Sequence, residues 1–118
     1  MNVTSLVWVG TRTSAFAATR DFFTDVMGLH AIEDQPDFAV FGVPDGSSME
    51  VFGPGSAWNR HLTHPVAGFR VTDLDDAVRE LEAAGIEIVL PVQGGEDRKW
   101  LHFRAPDGFV YELVQDAA

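Results

Sequence analysis

Apolar and polar residues alternate along SLVWVGTRT, with Val7, Val9 and Thr11 on one parity and Leu6, Trp8, Gly10 and Arg12 on the other. A period of two carried by β-branched and aromatic residues predicts a strand. The period then changes. In SAFAATRDFFTDVMGLH, Phe16, Phe23, Val26 and Met27 fall on one helical stripe, with Ser14 as candidate N-cap and Gly28 as stop. This predicts an amphipathic helix of about three turns. Three short strands follow, at about 29 to 34 (LHAIED), 38 to 43 (FAVFGV) and 48 to 53 (SMEVFG). The Pro-Asp-Gly between the last two presets a tight turn, because proline fixes φ and glycine accepts positive φ. The first part of the chain reads βαβββ.

The same order then recurs. VAGFRVTD predicts a strand, and DLDDAVRELEAAG a helix with Asp73 as cap, Leu74, Val78 and Leu81 inward and Gly85 as stop. The acidic run at its start is favoured by the helix dipole. IEIVLPV, KWLHFR and FVYELV predict three more strands, with a second Pro-Asp-Gly in the last hairpin. At an offset of 62 residues Phe41 falls on Phe103, Pro44 on Pro106, Asp45 on Asp107, Gly46 on Gly108 and Glu50 on Glu112. GPGSAWNRHLTHP, between the halves, has neither period and reads as a linker. The expected organisation is a first module at residues 1–53, a linker at 54–65 and a second module at 66–118, together one domain. One βαβββ module leaves a face of its sheet bare, so two are expected to share a core. The fold class is α+β: two βαβββ modules forming a cup-shaped mixed sheet with the helices on its outer face.

Strand parity assigns the faces. On the last strand Tyr111 and Leu113 oppose Val110, Glu112 and Val114; on its counterpart Met49 and Val51 oppose Ser48, Glu50 and Phe52. With the wholly apolar sets turned to the helices, Glu50 and Glu112 face the concave side, one from each module. The same parity brings Trp8, Arg12, Phe38, Val40, Phe52, Arg70, Trp100, His102 and Arg104 to that side. Aromatic walls with a few converging polar groups are the usual make-up of a small-molecule site.

Composition narrows the classes. Apolar residues make up 46% of the chain and charged residues 22%, as in globular proteins. Cysteine is absent, which excludes disulfides, thiolate metal sites and thiol nucleophiles. The opening MNVTSLVWVG has no basic region followed by a long apolar core, and no stretch is long and apolar enough to span a bilayer, so a cytoplasmic protein with no membrane partner is expected. A formal charge of −10 disfavours nucleic acid and anionic lipid, and either draws a cationic small molecule or serves solubility alone. Phosphate-binding glycine loops, nucleophile elbows and zincin pairs are absent from the sequence.

The paired βαβββ modules, the helix leading into FFTDVMGL, the FRVTDLDDAV strand-to-helix passage and the closing HFRAPDGFVYEL resemble the vicinal oxygen chelate superfamily, which includes glyoxalase I, extradiol dioxygenases, fosfomycin-resistance enzymes and bleomycin-binding proteins. In its metalloenzymes the resemblance implies a divalent ion in the cup, held by residues of the first strand of each module, usually His, and of the last strand, usually Glu. Carried over, the last-strand positions are Glu50 and Glu112. The first-strand positions depart from the pattern, falling on Val66 and among Leu6, Val7 and Trp8, none of which binds a metal. The resemblance also implies a homodimer.

Each candidate has two readings. Glu112 is a ligand or general base, or a scaffold carboxylate paired with Arg70 or Arg104, and Glu50 follows it. His102 is the candidate for proton transfer, since imidazole titrates near neutral pH, or a structural residue. Trp8 and Trp100 stack on a ligand or fill the core between modules. Trp58, on the linker, covers the cup's mouth or a partner subunit. His30 and His61 read as surface residues. The expected function is a small-molecule-binding protein of the glyoxalase and bleomycin-resistance type, without a cofactor, taking an aromatic or cationic ligand in the cup. The alternative is a lyase, isomerase or dioxygenase using Glu112 with His102, or with a divalent metal held by Glu50, Glu112 and His102.

Overall fold

The strands and helices follow the twofold order that the alternation predicts. A computed structural model describes residues 1–117. Its elements are β1 (Val3–Arg12), α1 (Phe16–Asp21), a π-helical turn (Phe22–Val26), β2 (His30–Gln35), β3 (Phe38–Gly42), β4 (Ser48–Phe52), β5 (Val66–Val71), α2 (Leu74–Ala83), β6 (Ile88–Gly94), β7 (Arg98–Arg104) and β8 (Val110–Asp116). The fold is α+β. Among the described residues, no helix is long and apolar enough to cross a membrane.

By contact the chain divides into two compact units. The first is Trp8–Val66, and the second is Met1–Val7 with the chain from Ala67 on. The division by contact and the repeat by sequence order are different partitions, because β1 gives its first half to one unit and its second half to the other. The expected alternation breaks at this boundary. Val7 and Trp8 are consecutive and both buried, each in its own unit, while Val9 is exposed.

In the first unit the hydrogen-bonded order is β2-β3-β4-β1, with β1 and β4 parallel and the other pairs antiparallel. Phe16, Ala39, Phe41 and Val51 form the core beneath the helix, with Phe23, Leu29, Ala31 and Met49 packed around them. The predicted helical stripe is only half right. Val26 and Met27, expected inside, are exposed, because the turn from Phe22 to Val26 is π-helical. Its wider winding carries residues beyond Phe23 off the α-helical phase. Ser14 does not cap either: the N-cap position is Ala15, with no side-chain cap, and the Ala15 N–H donates to Thr13 Oγ1 at 3.0 Å.

In the second unit the order is β1-β5-β8-β7-β6. Helix α2 is capped as expected, Asp73 accepting from the Asp76 N–H at 3.1 Å, and this bond holds the Asp73 carboxyl below the usual carboxylate range. Leu74, Ala77 and Leu81 of α2 pack on Val71, Leu101 and Leu113, with Phe69, Val78, Ile86 and Phe103 at the margin.

Both Pro-Asp-Gly turns are built alike. The Gly46 and Gly108 N–H groups each donate 2.9 Å bonds to a carbonyl three residues back, Val43 and Ala105. Asp45 and Asp107 each accept from the N–H two residues on, at 2.9 Å. The glycines have φ of +90° and +86°, in the left-handed region where a side chain is disfavoured. These turns fix the register that sets Val40 opposite Glu50 and His102 opposite Glu112.

Two substitutions check the burial assignment by urea denaturation. Leu101→Ala, at a wholly buried position, is expected to cost about 2–5 kcal/mol. Val26→Ala, at a side chain the α-helical stripe would have buried, is expected to change stability by less than about 0.5 kcal/mol.

Candidate functional site

Strand parity sorts the predicted site residues as expected within each unit. In the second unit the α2 core takes Val71, Leu101 and Leu113, so Trp100, His102 and Arg104 of β7 share the opposite face with Val110, Glu112 and Val114 of β8. Gly68 and Arg70 of β5 stand beside Glu112 and Val114 on that face. In the first unit Trp8, Arg12, Phe38, Val40, Glu50 and Phe52 share the face away from α1.

The second unit places an imidazole and a carboxylate together. His102 is wholly buried and Glu112 is 7% exposed, with His102 Nε2 3.6 Å from Glu112 Oε1. The neighbouring strand adds no side chain at this level, since Gly68 is the residue beside Glu112. Trp100, half-buried, lies over Gly94. Gly94 has φ +95°, and a Cβ there would meet the Trp100 ring at 2.8 Å. Two groups that accept and donate protons are thus held close within an apolar wall of Val110 and Val114.

The arginines expected to pair with Glu112 have other partners. Arg70 donates from Nε to Asp116 Oδ2 at 2.8 Å and from Nη1 to Ser5 Oγ at 3.2 Å. Arg98 donates to the other oxygen of Asp116 at 2.5 Å. The Arg98 bond, and then the Arg70 bond, hold the Asp116 carboxyl below its ordinary range against the opposing effect of burial. Arg104 is exposed and bonds Glu87 at 3.3 Å and the Gly108 carbonyl at 2.9 Å. Asp116 and Ser5 carry no sequence signal for these roles, because they meet Arg70 only through strand order.

In the first unit the predicted ligand-facing residues engage one another. Phe38 and Phe52 stack at 5.3 Å between centroids, Trp58 adds a tilted contact to Phe38 at 6.1 Å, and the Arg12 guanidinium lies 5.6 Å from the Phe52 centroid. All five N–H groups of Arg12 are used on backbone carbonyls. Nε donates to Leu62 at 3.1 Å, Nη1 to Gly53 at 2.8 Å and Ser56 at 3.3 Å, and Nη2 to Trp58 at 2.7 Å and Asn59 at 3.0 Å. Burial, and secondarily the charge of Arg60, lower the Arg12 pKa from its ordinary value. The segment read as a plain linker is therefore a packed loop, with Leu62 and Ser56 buried and Trp58 57% exposed on its outer side. Trp8 is buried with its ring against Gly10, and Glu50 is half-buried opposite Val40.

The donor chemistry can be tested against the family metal. Glu112 and His102 supply one carboxylate and one imidazole, and among the described residues no group of three His, Cys, Asp or Glu is placed to hold a metal ion. With Val66 at the first-strand position that the resemblance implies, the side chains do not fit the family's metal.

A family model described as the Glyoxalase/Bleomycin resistance protein/Dioxygenase superfamily matches residues 5–113, and the chain belongs to that superfamily. No curated protein matches the chain in sequence. Among solved structures it is similar to methylmalonyl-CoA epimerase from Mycobacterium tuberculosis, at 21% identity and a TM-score of 0.73 over 98% of this chain and 90% of that one. A superfamily member from Vibrio splendidus 12B01 aligns at 19% identity and a TM-score of 0.71, over 98% of this chain and 100% of that one. A Streptomyces coelicolor methylmalonyl-CoA epimerase variant in complex with 2-nitronate-propionyl-CoA aligns at 17% identity and a TM-score of 0.71, over 99% of this chain and 100% of that one. At these identities the likeness is one of fold.

Two arginine clusters give measurable consequences. Arg12→Met removes the charged donor from five carbonyls and is expected to cost about 2 kcal/mol, with faster hydrogen exchange confined to residues 53–62. For Asp116 the folded pKa is depressed below an unfolded value of about 3.9. The stability it contributes is complete well above that value and is lost as pH falls through the folded pKa. Asp116→Asn should therefore reduce stability at neutral pH and flatten its decline below about pH 4, as read from urea midpoints across the acid range.

Proposed function

We propose that this superfamily member binds a small aromatic or cationic molecule against Glu112, His102 and Trp100, without a metal of the family type. The observation that carries this reading is the buried carboxylate. Glu112 is 7% exposed within an apolar wall and its ion-pair partner is an imidazole, charged only when protonated. A carboxylate removed from water is costly unless paired. A ligand cation compensates it, the glycine on β5 keeps a side chain off the neighbouring position, and the Trp100 ring offers a face to a flat or cationic group. The chain's charge of −10 favours the same ligand sign.

A second reading rests on the 3.6 Å separation of His102 Nε2 and Glu112 Oε1. An imidazole and a carboxylate at this spacing can take a proton from a carbon beside a carbonyl and return it, one group acting as base and the other as acid. The reaction class is then isomerase or lyase chemistry, with the proton held on this chain's own side chains.

Titration of the Trp58→Phe protein with a panel of planar cations and neutral aromatics separates the readings. Removing the exposed indole leaves fluorescence to Trp8 and Trp100. Binding is expected to quench it, and Glu112→Gln to weaken cations by at least about tenfold while sparing neutral aromatics. Absence of binding across the panel, or stoichiometric metal held through Glu112 in the purified protein, would sink the first reading. Solvent-deuterium incorporation beside a carbonyl, abolished by Glu112→Gln, would establish the second.

A further inference from the structure

On the other side of the second unit's strands, a groove of about 430 Å³ is lined by Phe69, Phe103, Ala105, Pro106, Asp107 and Tyr111. Phe69, Phe103 and Tyr111 have the parity of the α2 core, opposite to that of Glu112. The three rings form one aromatic surface. Phe103 and Tyr111 stack at 6.0 Å between centroids, with 26° between planes, and Phe69 meets Tyr111 at 6.4 Å and 44°. The Tyr111 hydroxyl donates to Asp107 Oδ2 at 2.8 Å, while Asp107 Oδ1 accepts the Phe109 N–H at 2.9 Å. A carboxylate is thus held at the rim by the Phe109 N–H and by the Tyr111 hydroxyl of β8.

The sequence repeat supplies an internal control. Phe41 stands where Phe103 does, next to an identical Pro-Asp-Gly turn, yet it is wholly buried, with Phe23 packed on it at 5.6 Å. Met49 stands in place of Tyr111, and Thr11, beside Val51 as Phe69 is beside Leu113, stands in place of Phe69. The first copy is closed over Phe41 and has no ring at either of these two positions. The second keeps Phe103 partly exposed and adds two further rings.

We propose that this groove is a binding site for a small organic ammonium ion, seated on Phe69, Phe103 and Tyr111 with Asp107 as its counter-charge. Aromatic faces carry negative potential and attract a cation within about 6 Å of the ring centroid, most strongly a bulky, weakly hydrated one that also buries its alkyl groups. The carboxylate adds charge of the same sign, and the groove's lining contributes no basic side chain. A neutral apolar ligand would gain from the rings but not from Asp107, and an anion would be opposed by both. This site is separate from the Glu112 face, and neither depends on the other.

Tyr111 is the chain's only tyrosine, so its ring resonances report this groove alone. The test titrates the full chain with choline and with its neutral isostere, in which a quaternary carbon replaces the nitrogen, following the Tyr111 ring and the ligand methyl protons by NMR. Choline is expected to shift the ring saturably and to show upfield-shifted methyl protons. The isostere should bind about tenfold more weakly, and Asp107→Asn, which keeps the turn's acceptor, should weaken choline by a similar factor. The proposal is overturned if choline produces no saturable shift, if the isostere binds equally, or if Glu112→Gln abolishes the Tyr111 response. It is also overturned if the Tyr111 resonance moves with protein concentration alone, because a second copy of the chain then fills the groove.

Discussion

A β-strand has two faces, and each unit of this chain has a single helix with which to serve one of them. That constraint orders nearly everything else. Leu101 and Leu113 turn to α2, and Phe41 and Val51 to α1, because burying these side chains supplies the apolar contact that a strand bundle of this size needs. Once they are committed, the alternate residues have no choice of side. Glu50, Glu112, His102 and the arginines stand on the other face because the period is two, whatever their chemistry.

The two units then treat that second face differently. In the first, a folded-back loop is pinned by Arg12, whose guanidinium donates to five of its carbonyls, two of which, Gly53 and Asn59, also accept a backbone N–H of the loop. Phe38, Phe52 and Trp58 pack beside it. In the second, the same face holds Trp100, His102 and Glu112, and its arginines are drawn away by Asp116 and Glu87. The same parity rule therefore yields a packed aromatic cluster in one copy and an imidazole–carboxylate pair in the other. Divergence between repeats, rather than the repeat itself, is where the chemistry lies.

This also explains what could be read beforehand. The succession of elements along the chain, both turns, the α2 cap and the sharing of one face by His102 and Glu112 follow from local signals: a period, a proline, a glycine and an aspartate at fixed spacings. The inner face of the first helix failed from Val26 on, because a π-helical turn leaves no mark in a stripe counted at α-helical spacing. The partners of Arg12 and Arg70 were illegible for another reason. Arg12 bonds backbone carbonyls, which every residue possesses, and Arg70 meets Asp116 across 46 positions of sequence. Neither leaves a motif.

Membership of a superfamily that spans binding proteins and metalloenzymes narrows the fold far more than the activity. Here the residues speak where the family does not. A transition metal needs several donors converging on one point, and imidazole and carboxylate are suitable types. Glu112 and His102 are of the right types but are only two donors, and Val66, at the first-strand position the family pattern implies, adds none. The equivalent positions of the first repeat are Glu50 and Val40, one carboxylate with an aliphatic neighbour. Replacing one valine-like position by histidine gives the second copy a second titratable group beside its glutamate. Held in register by identical Pro-Asp-Gly turns, the two hairpins keep the glutamate in common and differ in what stands opposite it, valine in one copy and histidine in the other.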